Sequence, residues 1–573
     1  MERPMSRTTS RRRTLISLGA LCLGAALLPT GQALAESTQV LQLAYGIGGP
    51  QKAKGGAGNE QPTSVALNKN GKTYVVTVYM SSNVAEKDGP WQCKCTSVLM
   101  DPQDGPVILA DQVQLTDGDG DRPCNHPMAA TDGQHVVWTF GSDMNNQANV
   151  STYAGVLDEQ CQEVVAPKRI SKNNNNNEGA PDIAYNGANH FTAGYLSTGG
   201  NDISYATGLT LHTDGEISLE QTYHKSVVTP ANIGRPTIAA AGPDRSLFCA
   251  AKGDNRPPED GVECAWLDAL TGDIKWKKIL AASEPGNKRY MNQPSVARID
   301  YGRFAVNLQE SSGGGKNNNQ KGSNISHLYV IEPTDQGYTE KAHEVGIGHF
   351  PTHAAICSGV YGSNAERAIA IMNAPITGVG LPWIQMANYA PNLGLKADKA
   401  SEWQIGYYGD SGHIANIYGQ NPNTQGRDFL RCVGDVPNPG HGLPNGYQKT
   451  VESFFVAPHA GRIPGEPKNA LFLGFVPGKT DKPVVPEPPQ DVPPPTTSSS
   501  SGTGGGGDTT TTATTSTTGA GGEGGSAPLG FDSNAAGGCA CALPGGERET
   551  PGGPLGALAL AGISIALISR RKS

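Results

Sequence analysis

Asn292-Gln293-Pro294-Ser295-Val296-Ala297, followed after a polar turn by Phe304-Ala305-Val306, is the stretch on which the fold turns. A proline opens it, a small or β-branched pair ending in alanine follows, and an apolar strand closes it. The phrase recurs at Pro62-Thr63-Ser64-Val65-Ala66 with Tyr74–Tyr79, and at Pro127-Met128-Ala129-Ala130 with His135–Trp138. It returns at Pro181-Asp182-Ile183-Ala184 with His190–Tyr195 and at Pro236-Thr237-Ile238-Ala239 with Leu247-Phe248. The last clear copy is Pro351-Thr352-His353-Ala354-Ala355 with Ala368–Ile371. The six prolines stand 65, 54, 55, 58 and 57 residues apart. A weaker seventh phrase is read at His413-Ile414-Ala415.

Within each unit, short alternating strands are joined by tight-turn dipeptides such as Asn70-Gly71, Asp132-Gly133, Asn186-Gly187 and Asp214-Gly215. Apolar patterns of helical period are nearly absent. A period of about 55 with roughly four strands per unit suits a β-propeller blade. A string of β-sandwiches would need units of about 90–100 residues. The expected fold is all-β, a single six- or seven-bladed β-propeller over residues 36–480. Gln39–Tyr45 reads as a strand that pairs with the last blade, near Ser453–Val456 or Leu471–Val476, and so removes an exposed sheet edge. The phrase resembles the repeats of exported bacterial β-propeller proteins, where Gln/Asn-x-Pro-x-Val-Ala precedes each inner strand. That resemblance covers most of Asn59–Ile371 and implies a fold, not an activity.

The two ends read as addresses. Arg11-Arg12-Arg13, the apolar run Leu15–Leu28 and Ala33-Leu34-Ala35 form a signal peptide over residues 1–35, cleaved between Ala35 and Glu36. Ser10-Arg11-Arg12 resembles a twin-arginine export motif, with Thr14 where a bulky apolar residue is usual. Residues 481–536 are rich in Pro, Thr, Ser and Gly and bury almost nothing, the composition of a disordered linker. Residues 537–573 carry Cys539-Ala540-Cys541, the apolar run Leu555–Ile568 and Arg570-Arg571-Lys572. As a helix that run would span about 21 Å, short of the roughly 30 Å hydrocarbon core. The segment resembles the MYXO-CTERM sorting domain of myxobacterial exported proteins. Its matching positions are Cys539, Cys541, the short apolar helix, Arg570 and Arg571. The resemblance implies export, tail removal by a C-terminal sorting protease, and display at the cell surface, with membrane association through the C-terminus only.

Cysteine usage agrees with export. Of the 11 cysteines, Cys22 leaves with the signal peptide and Cys539 and Cys541 sit in the sorting motif. The remaining eight form an even set, as disulfides require. Cys249 and Cys264 flank one loop and are expected to pair. Cys357–Cys432 would staple the irregular last blade. Cys93, Cys95, Cys124 and Cys161 are expected to pair among themselves, although Cys93-Lys94-Cys95 also reads as a redox or metal pair.

Chemistry is sparser. Asp117-Gly118-Asp119-Gly120-Asp121 places three carboxylates at alternating positions of a Gly-rich loop, a spacing that suits Ca²⁺ as a structural cofactor. It is no EF-hand, because Arg122 and Met128 stand where glycine and the bidentate glutamate belong. His349 and His353 are four apart, but Pro351 between them argues against a helical zinc site. Asn173–Asn177 and Asn317–Asn319 are polar loop tips suited to sugar hydroxyls. No G-x-S-x-G, H-E-x-x-H or P-loop occurs. Catalytic residues are therefore not identified, although two carboxylates from different blades remain open as a glycosidase pair. The net charge of −8 and the lack of a basic patch argue against a nucleic-acid partner. The expectation is a surface-displayed binding module for a glycan, matrix or cell-surface partner, with a polysaccharide lyase or glycoside hydrolase as the alternative.

Overall fold

The computed structural model describes residues 40–45, 59–82, 91–116, 124–143, 149–172, 177–198, 202–231, 235–253, 260–284, 290–300, 302–311, 324–345, 355–361, 366–373, 383–390, 394–404, 407–408, 414–415, 432–439, 451–462 and 469–479. Their regular structure is entirely β-strand. Strand β1 (Val40–Tyr45) is followed by blade 1, β2 (Asn59–Lys69), β3 (Lys72–Ser82), β4 (Trp91–Asp101) and β5 (Gly105–Gln114). Blade 2 is β6 (Asn125–Thr131), β7 (Val136–Ser142), β8 (Ser151–Leu157) and β9 (Glu163–Arg169). Blade 3 is β10 (Asn177–Gly187), β11 (His190–Thr198), β12 (Ile203–His212) and β13 (Ser218–Val228). Blade 4 is β14 (Thr237–Gly242), β15 (Arg245–Lys252), β16 (Gly261–Asp268) and β17 (Ile274–Ala282). Blade 5 is β18 (Tyr290–Asp300), β19 (Arg303–Ser311), β20 (Asn324–Thr334) and β21 (Gly337–Val345). Blade 6 is β22 (Ala355–Tyr361), β23 (Glu366–Asn373), β24 (Trp383–Ala390) and β25 (Gly394–Gln404). A small hairpin, β26 (Tyr407–Tyr408) with β27 (Ile414–Ala415), precedes the last blade, β28 (Val433–Pro437), β29 (Ser453–Arg462) and β30 (Asn469–Pro477).

Each blade is a four-stranded antiparallel sheet, and there are seven. In the last, the fourth strand is β1, paired antiparallel to β30 from Val40↔Gly474 to Tyr45↔Ala470. The first strands β2, β6, β10, β14, β18, β22 and β28 pack in sequence, and β28 meets β2 again, so the ring is closed. The architecture is the expected all-β propeller, with the seven-bladed alternative realised and the N-terminal strand completing the circle. One expectation is corrected. Among the described residues Ile414-Ala415 pairs only with Tyr407-Tyr408, and the inner strand of blade 7 is β28. The reason is burial: Val433 and Val436, 5% and 0% exposed, supply the apolar side that a strand wedged between β22 and β2 needs.

The repeated phrase has a structural meaning. In β2, β6, β10 and β18 the pairing register slips at the phrase, between Glu60 and Thr63, Asn125 and Met128, Gly179 and Asp182, and Asn292 and Ser295. Proline has no N–H to give the ladder, so an extra residue is bulged out there. The residue before each proline takes the left-handed conformation: Gln61 at φ 50°, His126 at 49°, Ala180 at 51° and Gln293 at 49°. The residue after the proline ties blade to blade. Asp182 Oδ2 accepts from the Ile238 N–H at 2.8 Å, and Thr237 Oγ1 accepts from the Val296 N–H at 3.1 Å. The apolar alternate positions fill the spaces between blades. Ala239, Leu247 and Val262 of blade 4 meet Val296, Phe304 and Val306 of blade 5.

Candidate functional site

Antiparallel order brings the starts of first and third strands, and the ends of second and fourth strands, to one face of the ring. The hairpins of the opposite face are tight, as at Asn70 and Gly71, whose φ values of 54° and 73° are those of a two-residue I′ turn. The longer connections belong to the phrase face, where ligand-binding groups of propellers have room to vary. Asp117, Asp119 and Asp121 fall between β5 and β6, outside the described residues. So do Asn173–Asn176, Asn317–Asn319, His349, His353, Ala35, Glu36, Cys539, Cys541, Arg570 and Arg571. Among the described residues no group of three or more His, Cys, Asp or Glu is placed to hold a metal, and no helix is long and apolar enough to cross a membrane.

The phrase face carries an aromatic cluster on blade 3. Tyr205 stacks on His224 with ring centroids 4.6 Å apart and planes 27° from parallel, and Tyr195 stacks on Tyr205 at 5.3 Å. Tyr195 is buried, whereas Tyr205 and His224 are half-buried. The Tyr195 hydroxyl and His224 Nε2 are hydrogen-bonded. Burial, helped by the Lys172 charge, pushes His224 down to about 4, which favours the neutral imidazole. Burial and the Glu178 charge push the Tyr195 phenol up. Glu178, at the start of β10, is ion-paired at 3.3 Å to Arg169 at the end of β9. The neighbouring blade 2 thus supplies the cation beside the rings. The exposed Asn177 ends the asparagine run beside this cluster, and its Oδ1 accepts from the Val150 N–H at 3.1 Å.

Blade 5 carries a second cluster on the same face. Glu310 Oε2 lies 2.8 Å from His327 Nε2, and His327 Nδ1 lies 3.0 Å from His343 Nε2. Tyr329 stacks on His343 at 3.9 Å. Burial, then His327, holds His343 below its ordinary value. Beside this chain, Asn292, Ser295, Asn307, Gln309 and Ser326 are cross-strand neighbours. All are buried, and each has a side-chain atom without a hydrogen-bond partner among the described residues.

At the start of the inner strands the residues before and beside the phrase prolines are polar and buried. Gln61, Asn125, Asn292 and Gln293 are exposed by 9%, 3%, 4% and 8%, and Arg235 is fully buried. The apolar part of the phrase does not mark these residues as a site. Their signal was the column before the proline, which reads Gln61, His126, Ala180, Arg235, Gln293 and Phe350. Tyr195, His224 and the blade 5 histidines carry no local signal, since strand register alone joins them.

The disulfides hold the ring. Cys93 and Cys95, two apart on β4, share one face of the strand. They pair with Cys124 and Cys161, so both bonds tie blade 1 to blade 2. Cys357–Cys432 ties blade 6 to blade 7. Cys249 and Cys264 stand opposite one another on β15 and β16, with Cα atoms 4.1 Å apart.

No protein-family model matches the chain, and no curated protein is detectably similar to it. Solved structures of similar architecture include an α-L-arabinanase of Penicillium chrysogenum complexed with arabinobiose, at 12% identity, covering 62% of this chain and 93% of that one, TM-score 0.34. Another is the GH93 α-L-arabinofuranosidase of Fusarium graminearum with arabinobiose, at 12% identity, 62% and 93% coverage and TM-score 0.35. A thermostable family-43 glycoside hydrolase matches at 10% identity, 52% and 97% coverage and TM-score 0.29.

Proposed function

We propose that this chain is an exported, surface-displayed propeller that binds carbohydrate on its phrase face. The reading is carried by the half-buried Tyr205–His224 stack beside the Arg169–Glu178 pair. Aromatic faces take the apolar faces of sugar rings, while convergent amide and charged groups take hydroxyls. Four disulfides suit an oxidising compartment. The signal peptide and the Cys539–Arg571 sorting segment supply the route, through the export machinery and a sorting protease, to the outer surface. Mass spectrometry of surface protein tests that route: the expected mature chain begins near Glu36 and lacks Arg570–Ser573, and an intact tail would refute processing. Calcium at Asp117, Asp119 and Asp121 is tested by melting in EDTA, with a fall in Tm that Ca²⁺ restores.

A glycan array with the wild type and Tyr205→Ala tests the binding. The expected loss on substitution is about tenfold, the scale of one good aromatic contact. Equal binding by both proteins would remove the rings from the site. A second reading, an enzyme acting on extracellular polysaccharide, is favoured by the Tyr195–His224 pair, in which a phenol and an imidazole, two groups suited to proton transfer, are hydrogen-bonded. Reducing-end release measured on the same sugars separates the two: release that His224→Gln abolishes supports the enzyme.

A further inference from the structure

Arg235 precedes Pro236, at the position that Gln61, His126 and Gln293 hold in their own blades. Its side chain is fully buried, and Nε and Nη2 have no hydrogen-bond partner among the described residues. Nη1 lies 3.0 Å from the sulfur of Met128. Met128 belongs to blade 2 and Arg235 leads into blade 4, so the contact spans the inner strand of blade 3. A thioether is a weak acceptor, and a guanidinium cannot shed its charge by losing a proton. A desolvated cation held by a sulfur alone is high in free energy. A carboxylate relieves it, because its two oxygens match the guanidinium fork and outcompete a thioether. Beside the phrase prolines of other blades, Gln61 Oε1, Asn125 Oδ1, Asn292 Oδ1 and Gln293 Oε1 are buried acceptors without partners among the described residues. Sugar hydroxyls are the donors that fit them.

We infer that the carbohydrate taken by this propeller carries a carboxylate, and that Arg235 binds that group at the centre of the phrase face. The inference rests on the carbohydrate reading and adds its charge class. Binding draws the guanidinium off Met128, exchanging a weak contact for a charge-assisted pair.

The test is calorimetric titration with oligosaccharides of galacturonate and glucuronate against their neutral galactose and glucose counterparts. The proteins are the wild type, Arg235→Gln and Arg235→Met, each first checked by thermal melting. The wild type is expected to prefer the acidic sugars by about thirtyfold or more, the scale of a desolvated charge pair. Both variants are expected to lose that preference and to keep the Tyr205-dependent affinity for neutral sugars. Equal affinity of the wild type for acidic and neutral sugars overturns the inference and leaves the carbohydrate reading in place. A preference that survives in either variant overturns the role of Arg235. Binding of no sugar overturns both. Should neither variant fold, competition on the wild type decides: free glucuronate must displace the bound oligosaccharide where glucose does not.

Discussion

The guanidinium of Arg235, entering blade 4, touches the sulfur of Met128 in blade 2 at 3.0 Å and has no better partner among the described residues. A cation so placed opposes folding. Arg235→Met is expected to raise stability by about 1–4 kcal/mol, as when a buried charge gives way to an apolar side chain of similar size. Equilibrium urea unfolding of the two proteins measures this. A variant less stable than the wild type would mean that the guanidinium is satisfied in the folded protein.

The blade-to-blade bond from the Ile238 N–H to Asp182 Oδ2, at 2.8 Å, is fully buried. Asp182→Ala leaves that N–H and the Ile183 N–H, bound to Oδ1 at 2.8 Å, without their acceptor. The cost is expected to be about 1–3 kcal/mol for each orphaned group. Asp182→Asn keeps one acceptor oxygen and should cost less than Asp182→Ala in the same denaturation experiment.

Loop length sets the expected order of the disulfides. Cys249–Cys264 closes a separation of 15 residues, whereas Cys95–Cys161 and Cys357–Cys432 close 66 and 75. Chain entropy then assigns about 3 kcal/mol to the first and roughly 4–4.5 kcal/mol to the longer two. Paired Cys→Ser variants compared by thermal melting should follow that order, with the inter-blade bonds costing more.

Acid should weaken the blade 3 cluster through His224. Its folded value, about 4, lies below the ordinary 6.5. The unfolded chain therefore binds more protons between those values. The stability of the neutral Tyr195–His224 pair is full above about pH 6.5 and is lost as pH falls towards 4. His343, lowered in the same direction, adds to the slope. His224→Gln, whose amide can still hydrogen-bond the Tyr195 hydroxyl, is expected to flatten the fall in urea midpoint between pH 7 and pH 4.5. An unchanged slope would place the acid sensitivity elsewhere.

Strand β1 closes the ring by covering the edge of β30. A chain lacking Val40–Tyr45 leaves the N–H and C=O groups of β30 open to pairing with another molecule. The expected outcome is a lower Tm and self-association that grows with concentration, read by light scattering after gel filtration. A monomer as stable as the parent would show that β1 contributes little to closure.

Much of the fold was legible because its signals are local. The prolines from Pro62 to Pro351, the alternating strands and the turn glycines each act within a few residues, and the regular interval between them gives the blade. The N-terminal strand was legible too, since an unpaired edge demands a partner and Gln39–Tyr45 was the free strand in the chain. The phrase at His413 misled because it kept the small residues and lacked the apolar strand that Val433 and Val436 provide.

Residue order alone thus determined an all-β ring of repeats and an even set of eight cysteines within it. Tertiary structure decided what meets what. Cys93 could pair with any of three cysteines until blade 1 stood beside blade 2. Tyr195, Tyr205 and His224 are spread over 30 residues and become one cluster only through the register of three strands. Arg235 and Met128 are 107 residues apart and meet because the ring curves back on itself. Such contacts depend on strand register and blade spacing, which are set by long-range packing and leave no pattern in neighbouring residues.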